Sequence, residues 1–163
     1  MKTNYFIKEC EYSNKFNDWQ MKEIRIGFYE DHLTMEQIKV YARPEFSWMQ
    51  MRQIREGFED GLTMEQVNIY AKPEFTEQQM FQIREGFVNN LTIEQVKFYA
   101  DSRFTSSQMF EIRFGLEDGL TIEEVKLYAK FRFDYDKMKQ IRLFINDNKS
   151  SINNLKFIIN LNF

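Results

Sequence analysis

Phe75-Thr-Glu-Gln-Gln-Met-Phe-Gln-Ile-Arg-Glu-Gly-Phe-Val-Asn-Asn-Leu-Thr-Ile-Glu-Gln-Val-Lys-Phe-Tyr-Ala100 decides the fold of this 163-residue chain. Nearly the same text begins at Phe16, Phe46, Phe104 and, more loosely, Phe133. Its Ile-Arg pair recurs at Arg25, Arg55, Arg84, Arg113 and Arg142, a step of 30 residues and then of 29 three times. A fixed period in this range marks a stacked repeat array, in which each unit buries its apolar face on its neighbours.

Each unit carries two helix starts. The first begins at Ser47, Thr76 or Thr105, with Gln50, Gln79 or Gln108 three residues on. Asn17 with Gln20 fits the same slot, and Asp134 with Lys137 keeps only the cap. This is capping-box spacing, in which two side chains satisfy otherwise orphaned backbone N–H groups. Phe always precedes the cap, and Met always stands five residues after that Phe, at Met21, Met51, Met80, Met109 and Met138. The pair reads as a hydrophobic staple. Met80, Ile83, Arg84 and Phe87 continue at helical spacing, placing one stripe toward a core.

The first helix is expected to stop at a residue able to take positive φ: Gly61, Asn90 or Gly119. Leu-Thr-x-Glu-Gln then opens the second helix, capped by Thr34, Thr63, Thr92 and Thr121 and stapled by pairs such as Leu62 with Val67. It runs through Tyr-Ala toward Pro44 or Pro73, or toward Ser102 and Phe131 where proline is missing. The spacing therefore predicts an all-α chain: an α-solenoid of about five two-helix repeats with atypical terminal caps. The units fall at roughly 16–45, 46–74, 75–103, 104–132 and 133–163, within a single domain spanning 1–163. Residues 1–15 lie outside the period and read as an N-terminal cap, with Phe6, Ile7, Cys10 and Tyr12 lining its inner side.

Net charge is −3 with both signs interspersed, which gives no bulk attraction to nucleic acid or anionic lipid. No signal-peptide pattern opens the chain and no run is long enough to span a membrane. A single cysteine, Cys10, excludes an internal disulfide and fits a reducing, cytoplasmic setting. The lone histidine, His32, occupies the turn slot held elsewhere by Gly61, Asn90 and Gly119, and turn geometry explains it. With one His and one Cys there is no constellation for metal binding, nucleophilic catalysis or a cofactor, so the chain reads as a non-enzyme.

The wording Gln-Met-x-x-Ile-Arg-x-Gly, Leu-Thr-x-Glu-Gln-Val-x-x-Tyr-Ala and Pro-Glu-Phe resembles tandem helical repeats of proteins from low-GC bacteria and their mobile elements. The resemblance covers Phe16 to about Arg142. It implies a bacterial or phage accessory protein that works by binding, and it implies no particular chemistry.

Binding is expected where units differ, because the recurring positions are consumed by packing. Phe81, Phe110 and Phe114 stand where other units carry Lys22, Arg52, Glu56 or Glu85, and form a candidate aromatic contact surface. Packing between adjacent units is the competing explanation. Glu30-Asp31, Glu59-Asp60 and Glu117-Asp118 close first helices, where the macrodipole disfavours negative charge, and form a candidate acidic edge for a basic partner. Lys39, Lys97, Lys126 and Lys156 form a row, but Glu36, Glu94 and Glu123 answer the first three at salt-bridge range. The recurring arginine is expected to be buried, with loop carbonyls or the Glu of Leu-Thr-x-Glu as acceptors. The repeated glycine at Gly27, Gly57, Gly86 and Gly115 is expected to admit the second helix closely.

The favoured reading is a protein-binding scaffold. An inhibitor that presents its acidic edge to a nucleic-acid-binding groove of a nuclease, as an anti-CRISPR protein would, is the alternative. Direct nucleic-acid binding through the lysine row ranks last. In the last unit, Phe157, Leu161 and Phe163 have no evident inward place and suggest a homodimer contact, with a tail folded back over its own end as the competing reading.

Overall fold

A computed structural model describes residues 2–148, which are all-helical: ten helices and no strand among the described residues. The chain divides into two compact units, residues 1–88 and 89–163. The first contains α1 (Lys2–Tyr12), α2 (Asp18–Tyr29), α3 (Met35–Tyr41), α4 (Trp48–Glu59), α5 (Met64–Tyr70) and α6 (Glu77–Val88). The second contains α7 (Ile93–Tyr99), α8 (Ser106–Glu117), α9 (Ile122–Val125) and α10 (Tyr135–Asp147). After α1, long and short helices alternate through α9, as the paired starts in each repeat require.

Local chemistry sets the boundaries. Ser47, Thr63, Thr92 and Thr105 each close a capping box with the Gln three residues later. Asp134 caps α10 alone, because Lys137 cannot accept a hydrogen bond. His32, Gly61, Asn90 and Gly119 take φ of 55°, 82°, 66° and 80°, so the turn slot is left-handed at these four positions.

The glutamine at the start of each long helix has a second use that the capping-box reading misses. Gln50 Oε1 accepts from the Ser47 N–H at 2.8 Å, while its Nε2 donates to the Phe75 carbonyl at 2.6 Å. Gln20 holds the Phe46 carbonyl in the same way, and Gln108 the Phe133 carbonyl, each at 2.6 Å. A carboxylate has no donor for that second bond. At the short-helix cap, where only the acceptor is used, Gln66 gives way to Glu124.

The staples are buried at both ends. Phe46, Phe75, Met51 and Met80 lie in the core of the first unit, and Phe104, Phe133, Met109 and Met138 in that of the second. Phe16, next to the N-terminal cap, is only half-buried. α1 packs on α2 and buries Ile7 and Cys10. Tyr12, expected to join them, is exposed instead, because two residues past Cys10 on a helix it turns away from the buried stripe.

Tyr41, Tyr70 and Tyr128 are fully buried, and their hydroxyls reach back to first-helix carbonyls of Glu23, Gln53 and Glu111. Each hydroxyl also sits where a β-carbon on Gly27, Gly57 or Gly115 would have to go. The helical glycine is thus explained at these positions by the tyrosine that crosses it.

Candidate interaction surface

The recurring arginine is buried at Arg55, Arg84, Arg113 and Arg142. At Arg55, Arg84 and Arg142 the acceptors among the described residues are not loop carbonyls or the Glu of Leu-Thr-x-Glu. They are carboxylates of long helices and of the turns that follow them. Arg55 donates from Nε to Glu23 at 2.9 Å and from Nη1 to Asp31 at 2.6 Å. Arg142 repeats this with Glu111 at 2.7 Å and Asp118 at 3.3 Å. Arg84 uses Glu56 at 2.5 Å, with Asp60 at 3.6 Å. α1 extends the pattern outward: its Glu11 takes Arg25 at 2.8 Å, in an exposed pair. Burial pushes the Arg55 guanidinium pKa down, but the hydrogen bonds to Asp31 and Glu23 outweigh it and the net shift is upward.

The carboxylate has two alternative seats. Glu23 and Glu111 stand two residues before the arginine of their own repeat, with Ile26 and Phe114 one residue after it. Where Gln53 and Gln82 take the earlier seat, Glu56 and Glu85 take the later one. The exchange leaves a trace at Arg84, whose buried Nε has no acceptor, as Gln53 Oε1 has no donor.

The six acids of the candidate edge divide accordingly. Asp31 is nearly buried against Arg55, and Glu117 accepts from Arg113 at 2.6 Å. Glu59 and Asp60 are exposed while reaching Arg55 and Arg84 at 3.3 and 3.6 Å, and Asp118 is exposed while reaching Arg142. Glu30 is exposed with no ion pair among the described residues. Much of the apparent acidic edge is therefore counter-charge for the arginine row.

The aromatic candidates are placed as follows. In the first unit Phe81 is 38% exposed, with the Arg84 guanidinium 5.6 Å from its ring. In the second, Phe114 is 38% exposed and stacks on half-buried Phe110 at 5.5 Å, with Arg142 over it at 4.8 Å. Trp19, Met49 and Tyr29 of the first unit are exposed too, and the Trp19 ring meets that of Trp48 in a tilted contact. Phe157, Leu161 and Phe163, the proposed homodimer contact, lie outside the described residues, as does Lys156.

In the lysine row, Lys126 pairs with Glu123 at 3.1 Å, and Lys39 lies over the Phe6 ring at 5.7 Å. Cys10 borders a recess of about 260 Å³ lined by Phe6, Phe16, Ala42 and Pro44. Burial, followed by the charges of Glu9 and Glu11, raises its thiol pKa, which opposes thiolate chemistry. Among the described residues no cluster of His, Cys, Asp or Glu is arranged to hold a metal ion, and no helix is long and apolar enough to cross a membrane. No protein-family model matches the chain, and no curated protein or solved structure matches it either.

Proposed function

We propose that the chain is an α-solenoid of about five two-helix repeats that works by binding another protein, without catalysis. What supports the array is recurrence within each unit. Gln20 and Gln50 tie down successive staple phenylalanines in one unit, and Gln108 does so in the other.

The observation that carries the binding reading is where the repeats spend their variation. Recurring Phe, Gln, Met, Ile, Gly, Val and Tyr positions are almost all buried, whereas Trp19, Met49, Phe81 and Phe114 are large, apolar and exposed on long helices. Side chains of this kind on an otherwise charged surface mark partner contacts. The acids of the edge favour this apolar face over the acidic edge as the main contact, because most of them already serve an arginine.

Capture from host lysate on the immobilised chain, with mass spectrometry of what is retained, tests the proposal. A specific protein held by the parent chain and released by Phe81→Ala at unchanged melting temperature supports it. Retention of nucleic acid alone, removed by nuclease, overturns it.

A further inference from the structure

Trp19 and Trp48 are the chain's two tryptophans, and they meet on the outside of the first unit with ring centroids 5.7 Å apart, tilted by 32°. They come from helices α2 and α4, which pack side by side. Trp19 is 59% exposed, and Met49, next to Trp48, is exposed as well. Lys22 places its ammonium 5.7 Å over the Trp19 ring. Arg52, one turn beyond Trp48, is exposed and among the described residues pairs only along its own helix, with Glu56. Neither indole N–H donates to another group among the described residues.

The patch is thus apolar rings bordered by donors. Opposing charge is thin: Asp18 is the only acid in the first turn of either helix, and nearby Glu45 is held by Arg43 at 2.6 Å. Indoles are the side chains most enriched among residues that dominate binding energy, and donors at the rim select acceptors in the partner.

We propose that this patch receives a protein segment presenting apolar side chains flanked by carboxylates, in the manner of an acidic amphipathic helix. The inference rests on the protein-binding reading and names the chemistry of the partner. Single-stranded nucleic acid also stacks on indoles. Its phosphates call for a continuous cationic groove, which Lys22 and Arg52 at the rim of the rings do not make on a chain of net charge −3.

Tryptophan fluorescence, excited selectively over the tyrosines, tests this directly, since both tryptophans sit in the patch. The probes are an amphipathic Leu–Glu helical peptide, its Leu–Lys counterpart and oligouridylate. The acidic peptide is expected to shift emission to shorter wavelength saturably. Lys22→Glu should weaken it about tenfold, and Trp19→Ala should remove most of the response, both variants melting like the parent by circular dichroism. An equal or larger response to the basic peptide or oligouridylate overturns the proposal, as does silence toward the acidic peptide or indifference to Lys22→Glu. Lysate capture separates the two levels. Full-strength capture of a protein by Lys22→Glu sinks this patch alone, whereas absence of any captured protein sinks the binding reading itself.

Discussion

The Tyr70 hydroxyl occupies the space that a β-carbon on Gly57 would need. Glycine inside a helix is unfavourable by about 1 kcal/mol against alanine, so the contact overrides helix propensity. Tyr70 is fully buried and cannot swing aside. Gly57→Ala is therefore expected to destabilise by about 1–3 kcal/mol, the usual range for overpacking, despite the better helix former. Adding Tyr70→Phe removes the obstructing oxygen and should recover part of the loss. Urea unfolding of the two variants decides; a Gly57→Ala protein as stable as the parent would show that the tyrosine yields.

The two seats for the ladder carboxylate make a rescue experiment. Among the described residues, Glu56→Ile leaves Arg84 buried with only Asp60 and Glu85, both at 3.6 Å. Breaking a buried pair costs about 3–5 kcal/mol, and the remaining acids should reduce this to about 2 kcal/mol. Adding Gln53→Glu moves the carboxylate to the seat used by Glu23 and Glu111, opposite the unpaired Arg84 Nε. The double variant is expected to regain at least half the loss in denaturant midpoint. If it unfolds as early as Glu56→Ile, the seats are not equivalent.

Acid sensitivity should follow from the same residue. Burial pushes the Glu56 carboxyl up, but the hydrogen bond from Arg52 and the charges of Arg84 and Arg52 outweigh it, so its pKa is depressed in the folded chain. The unfolded chain then binds this proton more readily. The stability involved is complete above the unfolded pKa and drains as pH falls through the folded one. Glu45 and Asp101 are depressed as well, but in exposed pairs that contribute little. Melting between pH 6 and about pH 3, the range in which carboxylates titrate, should fall less steeply for Glu56→Gln than for the parent. Parallel curves would assign acid sensitivity elsewhere.

Caps, staples and turns were legible because they are local. A cap and its partner lie three residues apart, and the left-handed slot admits few residue types, as His32 and Asn90 illustrate. The arginine partners were not legible, because Glu23 lies 32 residues from Arg55 and Glu111 lies 31 from Arg142. Yet the exchange between Gln53-Glu56 and Glu111-Phe114 was present in the text as a compensating pair of columns. The tryptophan contact was hidden differently. Trp19 follows its staple Phe by three residues and Trp48 by two, so aligning repeats column by column separates side chains that the packing of α2 on α4 brings together.

The aromatic pair of the second unit gives the last expectation. Phe114 sits in the later carboxylate seat, left free because Glu111 serves Arg142, and its ring meets that guanidinium at 4.8 Å. One part of the ring thus supports the ladder while another faces solvent. Losing the cation–π contacts of Phe114 with Arg142 and of Phe110 with Arg113 should cost about 1 kcal/mol each, and Arg142 keeps both carboxylates. Phe110→Ala with Phe114→Ala should therefore remain folded, melt a few degrees lower, and retain less of the partner protein captured by the parent chain. Far-ultraviolet circular dichroism and quantitative capture, run below the lower melting temperature, give the two readouts. If binding is undiminished while stability drops, the rings serve packing alone. If the helical signal itself is lost, they belong to the core of the unit rather than to its surface.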